Sequence, residues 1–335
     1  LVNGVLRNAV KTKDSLKEPA SLEDKYSHPW ELIKLLRDYV GKDRIEMMLK
    51  ANNEAPRTVI QVNTLKITVE DLQKRLEAEQ VEAVPHGWMP DCLVLGSTGD
   101  LERLKSFQEG LFYVQDVSSM MVAELAAPKK GDYIIDVCAA PGGKSMHLAE
   151  KLQKTGVVEA RDLTEYKVGL IEENIARHEC KNMKAVQKDA AILDEASVGM
   201  ADIVIADLPC SGLGVMGKKR DIKYRLTPDS LKEVQKLQKE ILNTVWRYVK
   251  KGGILMYSTC TINKEENERQ VQWIVENLPF EVISMREELP EELKAEEGKY
   301  GLQLLPGIHE TDGFFLCKLK RIDSSAEKHS NVRLE

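Results

Sequence analysis

Two cysteines stand where reactive chemistry is simplest to build. Cys210 lies in DLPCSGLG and Cys260 in YSTCT, each directly after an apolar run that reads as a strand. Both thiols can therefore project into one cleft at the carboxyl edge of a sheet. Free cysteines are mostly small core residues, and Cys92, Cys180 and Cys317 read that way. Pro209, Ser211 and Gly212 around one thiol, and Ser258, Thr259 and Thr261 around the other, argue against a core role for this pair. A thiolate facing a cleft from a strand end is a natural nucleophile.

Carboxylates recur at the ends of successive strands. Asp162 lies nineteen residues past Gly143, the spacing at which a carboxylate accepts both hydroxyls of a ribose. Asp189 follows the third apolar run and Asp207 ends the fourth. Any one of them alone is more simply a cap or a solvated loop residue, but their recurrence favours a ligand. The first run leads into Cys138, Ala139, Ala140, Pro141, Gly142, Gly143 and Lys144, small residues opening a helix whose N–H groups face a ligand. Ala139, Ala140 and Pro141 replace glycines of a dinucleotide fingerprint, so something other than a pyrophosphate is expected there. A small-residue turn with a ribose acid points to an adenosine-containing ligand.

Such residues need a parallel sheet to hold them. Strands are predicted over 133–137, 156–160, 183–186, 203–206, 253–258 and 313–319, with helices near 144–152, 164–177, 228–249 and 264–277. This alternation predicts a sheet covered on both faces. Upstream, Pro29 and Trp30 open a helix that closes at Gly41, and a second helix runs to about Ala51. An alternating strand from Arg57, a helix over 69–79 and short strands at 93–95 and 111–114 make a small α+β unit. His28, before a proline, reads as a cap or packing residue.

With 335 residues the chain is long enough for two or more domains. It opens on Leu1 with LVNGVLRNAV, which reads as the end of an amphipathic helix, as if an N-terminal domain were missing. No apolar run is long enough to span a membrane, and no signal-peptide pattern is present. The six cysteines form no C-x-x-C pair and the six histidines never fall at metal-ligand spacing, so the expectation is free thiols, no metal and a reducing cytoplasm. A net charge of −6 argues mildly against nucleic acid, yet GKKRDIKYR (217–225) carries five bases against one acid. An acidic average can hide a basic groove.

CAAPGGK, DLPCSG and YSTCT together resemble the signature of the RNA cytosine-5 methyltransferases, the Nol1/Nop2/Sun family, and more narrowly its bacterial 16S rRNA branch. LVNGVLRN, YSHPWELIKLL, FQEGLFYVQDVSS and DGFFLCKLKR extend the likeness over nearly the whole chain. The resemblance implies an α/β class I S-adenosylmethionine-dependent fold, Rossmann-like, with a seven-stranded, mostly parallel sheet whose last strand is antiparallel. It implies a remnant of a helical NusB-like domain and linker over 1–24. A helical linker with an α+β RNA-binding subdomain would follow over 25–110, a catalytic domain over 111–321 and a polar tail over 322–335. By resemblance Cys260 is the nucleophile toward carbon 6 of cytosine, Cys210 assists release, and Asp207 meets the base near nitrogen 3. Residues 138–144 would hold the methionine and ribose of S-adenosyl-L-methionine, Asp162 the ribose hydroxyls and Asp189 the adenine, with Asp207 near the sulfonium. Lys144 is equally suited to touch RNA.

The substrate implied is an unpaired or flipped cytosine of 16S rRNA, taken by a monomer. Tyr224 and Trp88 are candidate stacking residues, and Arg161, where the family suggests a small or apolar residue, is expected to point to solvent. The rival readings are cytosine methylation of another RNA such as tRNA, and a non-catalytic ribosome-assembly scaffold. Retention of both Cys210 and Cys260 opposes the second.

Overall fold

The computed structural model describes residues 1–15 and 19–323, so most of the expected tail lies outside the described residues. A first sheet holds β1 (Thr58–Val62), β2 (Ala83–Pro85), β3 (Cys92–Leu95) and β4 (Phe112–Val114) in the order β2-β3-β1-β4, all antiparallel. Its two faces are both buried, and the period of two along each strand sorts them. Ile60, Val62, Leu93 and Phe112 pack on Leu72 and Leu76 of the helix Val69–Ala78. Val59, Cys92 and Tyr113 turn the other way, into the core of the large domain. The boundary expected between residues 110 and 111 therefore falls inside this sheet. Tyr113 pairs with Gln61 and Phe112 with Val62, so β4 belongs with β1 by its backbone hydrogen bonds.

The second sheet has β5 (Tyr133–Asp136), β6 (Val157–Asp162), β7 (Met183–Gln187), β8 (Ala201–Asp207), β9 (Val249–Thr259), β10 (Phe280–Val282), β11 (Glu297–Gly298), β12 (Gly301–Leu304) and β13 (Phe314–Arg321). The order is β11-β12-β13-β9-β8-β5-β6-β7, with β10 paired to β13, giving nine strands where seven were expected. The expected seven are inside it, and β13, the last, is antiparallel to its neighbours β12 and β9. The additional two are short antiparallel strands at the β13 side, β10 on β13 and β11 on β12. β12 escapes sequence reading because GLQL is four residues long and lies in a polar stretch.

Alternate residues of the parallel strands feed two cores. Ile134, Ile203, Ile205 and Met256 face the helices Val117–Ala126, Gly143–Lys151 and Glu165–His178. Ile135, Val204, Leu255 and Tyr257 face Pro228–Val245 and Glu268–Asn277. That double coverage explains the near-continuous apolar runs. Strand order reverses beside β5, between β8 and β6, which makes the carboxyl ends of these strands the place for a ligand. The helix predicted from 264 begins at Glu268, and the residues before it form a loop over the site.

Candidate active site

Register brings the predicted residues to one edge. Asp207 is paired with Ser258 across β8 and β9, so Cys210 and Cys260 leave adjacent strands at nearly the same level. Their sulfurs lie 3.1 Å apart. The loop beyond Cys210 returns to Cys260 through Gly214, whose N–H donates to the Cys260 carbonyl at 3.1 Å. Gly313 N–H donates in turn to the Gly214 carbonyl.

The two thiols sit in different fields. The hydrogen bond from Cys210 is the largest influence on Cys260 and pulls its pKa below the ordinary thiol value; Lys144 and Lys219 help, while burial and Asp207 oppose. The same contact, then burial and Glu266, drives Cys210 well above it. Cys260 is thus the more readily ionised thiol of the pair and Cys210 the one that holds its proton, two titratable groups pushed in opposite directions by one contact. Burial likewise raises Cys138, which makes it an inert thiol. Cys92, Cys180 and Cys317 are buried, as expected of core residues.

Asp207 accepts from the Ser258 hydroxyl at 2.9 Å and pairs with the Lys144 ammonium at 2.7 Å. Burial works against the charge on Lys144, but Asp207, Asp136 and Cys260 together hold its pKa above the ordinary lysine value. Lys144 also lies over the Phe314 ring. It therefore joins the donor turn to the cysteine pair, a link that the spacing of CAAPGGK does not disclose.

The donor turn has the features a polar ligand needs. Gly142 takes φ +110°, a conformation that favours glycine, and caps the helix Gly143–Lys151 without a side-chain bond to its first N–H groups. Asp162 accepts from Ala140 N–H at 3.0 Å and from Leu163 N–H at 2.8 Å, and pairs with Lys167. It braces the turn as well as facing the cleft end of β6. Asp189 is exposed in the loop after β7 and accepts from Ala191 N–H. Asp136, absent from the sequence-derived site, accepts from the Ser145 hydroxyl through one oxygen, while its other oxygen is buried with no partner. An unfilled buried acceptor beside free helix N–H groups fits a ligand that carries both donor and acceptor groups, as the amino-acid end of S-adenosylmethionine does.

Burial raises the Asp136 pKa from 3.8 to about 7. Between those values the folded chain binds a proton that the unfolded chain has lost, so this residue costs stability as pH rises through that window. Asp136→Asn is expected to gain about 2–3 kcal/mol relative to the parent between pH 5 and pH 8. Denaturant unfolding of both proteins at the two pH values checks this.

One expectation is corrected. Arg161 is buried, not solvent-facing: it bonds Glu159 at 2.7 Å and Ser197 at 2.6 Å, pairs with Asp194 and lies over Tyr248. The alternation of β6 that turns Asp162 one way turns Arg161 the other, into acids that neutralise it. The basic segment is also only partly free. Lys218 bridges Asp116 and Asp312, and Lys223 is buried on Ser27 and Asn53, whereas Lys219, Arg220, Tyr224 and Arg225 remain exposed. Trp88 is half-buried against the large core. His28 is buried, with burial lowering its pKa to about 4, and it bonds the Tyr26 carbonyl, as a packing residue does.

No described helix is long and apolar enough to cross a membrane, and no metal-holding group of side chains occurs among the described residues.

Known proteins resemble this chain in sequence and fold. The family model of the 16S rRNA methyltransferases RsmB/F matches residues 123–320, and that of the ferredoxin-like domain of RsmF/B-like methyltransferases matches 28–102. A probable ribosomal RNA small subunit methyltransferase B of Bacillus subtilis is 35% identical, over 96% of this chain and 73% of its own length. A methyltransferase homologue from Pyrococcus horikoshii superposes with TM-score 0.75 at 29% identity, covering 90% of this chain and 97% of that one. NSun6 from Pyrococcus horikoshii, solved with the S-adenosylmethionine analogue SFG, gives TM-score 0.79 at 25% identity, over 88% and 98%. The family match over 123–320 and the 35% identity across 96% of the chain agree: the chain belongs to the RsmB/F family of 16S rRNA methyltransferases, enzymes that use S-adenosylmethionine.

Proposed function

We propose that this chain methylates carbon 5 of an unpaired or flipped cytosine in 16S rRNA, in the cytoplasm and as a monomer, through a covalent bond to Cys260. The observation that carries the reading is the cysteine pair, 3.1 Å apart, with the Asp207–Lys144 ion pair beside it. Carbon 5 of cytosine is a poor nucleophile, and a thiolate on carbon 6 makes it enamine-like.

In the first step the Cys260 thiolate bonds to carbon 6. The carbon 5–carbon 6 double-bond electrons move to between carbons 4 and 5, those of the carbon 4–nitrogen 3 double bond move onto nitrogen 3, and nitrogen 3 takes a proton that the Lys144 ammonium passes through Asp207. Asp207, held by Ser258 and charged against Lys144, meets nitrogen 3 there. Residues 138–144, with Asp162 on the ribose and Asp189 by the adenine, would hold S-adenosylmethionine, which would supply an electrophilic methyl group for carbon 5. Cys210 then acts. Cys260 is the first cause of its raised pKa, and that cause disappears once Cys260 is a thioether. Burial and Glu266 still favour the thiol, so Cys210 acts by giving its proton to solvent and, as thiolate, taking the proton from carbon 5. The electrons restore the ring double bond, the carbon 6–sulfur bond breaks, Cys260 leaves as thiolate and nitrogen 3 returns its proton. The exposed Lys219, Arg220 and Arg225 flank the cysteine loop as phosphate contacts, and Tyr224, 68% exposed, is the free stacking platform.

The test is incubation with methyl-labelled S-adenosylmethionine and unmodified 16S rRNA, followed by digestion to nucleosides. Label in 5-methylcytidine is expected; label in any other nucleoside, or none, overturns the reading. Asp162→Asn keeps an acceptor for Ala140 N–H but loses the charge. It is expected to raise the KM for the methyl donor about tenfold with little change in kcat, since it removes a charge-assisted hydrogen bond. Steady-state kinetics at saturating RNA measures this.

A further inference from the structure

Behind the two cysteines lies a buried polar network built around a carboxylate to which neither the motifs nor the mechanism above gives a role. Glu266 is fully buried in the loop between Cys260 and the helix Glu268–Asn277. One oxygen accepts from Ser211 N–H at 2.9 Å and from the Gln238 amide at 3.1 Å; the other accepts from the Asn263 amide at 2.7 Å. The amide orientations are fixed by their remaining bonds. Gln238 also donates to the Pro209 carbonyl and accepts from Gln270, and Asn263 accepts from Glu265 N–H. Every partner of the Glu266 carboxylate, one backbone N–H and two side-chain amides, is thus a donor, and an acceptor-only group satisfies all three. The Tyr257 hydroxyl anchors the same residue by its backbone carbonyl.

The contacts span the two halves of the site. Ser211 follows Cys210 directly and Pro209 precedes it, while Asn263 lies three residues past Cys260. The Ser211 and Thr261 hydroxyls join the same loops at 2.8 Å. A buried polar group that is fully satisfied rigidifies its surroundings, and an unscreened charge acts strongly on what it touches.

We propose that Glu266 is a positioning residue of the cysteine pair: its carboxylate locks the Cys210 loop against the Cys260 loop, and its charge assigns the proton to Cys210. The inference deepens the reading of Cys260 as nucleophile and rests on it. Lys144 and Lys219 attract negative charge to Cys260, and Asp207 opposes them. The Cys260 contact and burial keep the proton on Cys210 first, and Glu266, which accepts from the N–H of the next residue, Ser211, adds its negative charge to them. Without Glu266 the two sulfurs compete for one proton on more equal terms, which lowers the thiolate fraction at Cys260.

The test needs no RNA, so its failure is separable from failure of the proposed function. Full-length protein is treated briefly with iodoacetamide at pH 8, and low-conversion labelling at each cysteine is read by peptide mass spectrometry. The parent protein is expected to label Cys260 at least ten times faster than Cys210. In Glu266→Gln, which keeps the size and removes the charge, the ratio is expected to fall at least tenfold. Glu266→Asp, which keeps the charge and draws it back by one methylene, is expected to lower it about threefold. A ratio in Glu266→Gln within threefold of the parent overturns the proposal, and so does an aspartate variant as impaired as the glutamine variant. If the glutamine variant does not fold, the aspartate variant decides alone: an unchanged ratio there overturns it.

Discussion

Cys260→Ala is expected to lose methyl transfer by about 10⁴-fold or more while keeping its fold and its affinity for the methyl donor. The effect is large because the thiolate makes carbon 5 reactive, and no other thiol can replace it. Cys210, 3.1 Å away, has its pKa raised and is assigned the later step in the proposed reaction, while burial raises the pKa of Cys138, half-buried in the turn over 138–144. Cys210→Ala is expected to differ in kind. It retains the attacking thiolate and loses the group that takes the proton from carbon 5, so the covalent RNA bond forms and persists. Rate measurements at saturating donor, with donor binding followed by calorimetry, separate lost chemistry from lost folding.

The largest structural effect is expected at Gly214. A Cβ there would lie 1.8 Å from the Gly313 carbonyl oxygen and 2.5 Å from its carbon, and these are backbone atoms that cannot rotate away. The two segments would have to part. Their separation breaks the bond from Gly313 N–H to Gly214 and the bond from Gly214 N–H to the Cys260 carbonyl. Gly214→Ala is therefore expected to cost about 3 kcal/mol or more in stability. What remains folded should lose about 10²-fold in activity, because small misplacements of reacting groups are costly. Gly217→Ala, whose added Cβ meets nothing closer than 3.7 Å, is the matched control and should stay within about 0.5 kcal/mol of the parent. Denaturant unfolding of both variants decides.

β5, β8 and the second half of β9 were legible because each is an apolar run closed by an acid or a small residue. Asp162 and Asp207 mark the ends of β6 and β8 directly. Legibility ended where tertiary pairing decides. Cys210 and Cys260 are fifty residues apart, and only the adjacency and register of β8 and β9 bring their sulfurs together. Strand order is not written in local pattern. The same limit hid the Lys144–Asp207 pair, the burial of Arg161 among acids, and the internal use of Lys218 and Lys223 within a segment that reads as simply basic. β4 was recognised as a strand, but its pairing to β1 moved it across the expected boundary. Glu266 gave no signal at all: a glutamate in KEENERQ reads as the solvated start of a helix, yet it is the centre of the network behind the thiols.

The central claim is a covalent bond between Cys260 and a cytosine. The most direct measurement mixes the Cys210→Ala protein with 16S rRNA and S-adenosylmethionine and resolves the products on a denaturing gel. A slow-migrating RNA–protein species is expected, and it should vanish in the Cys210→Ala/Cys260→Ala double variant. A species that persists without Cys260, or no species from a Cys210→Ala protein that still binds RNA, would contradict the account.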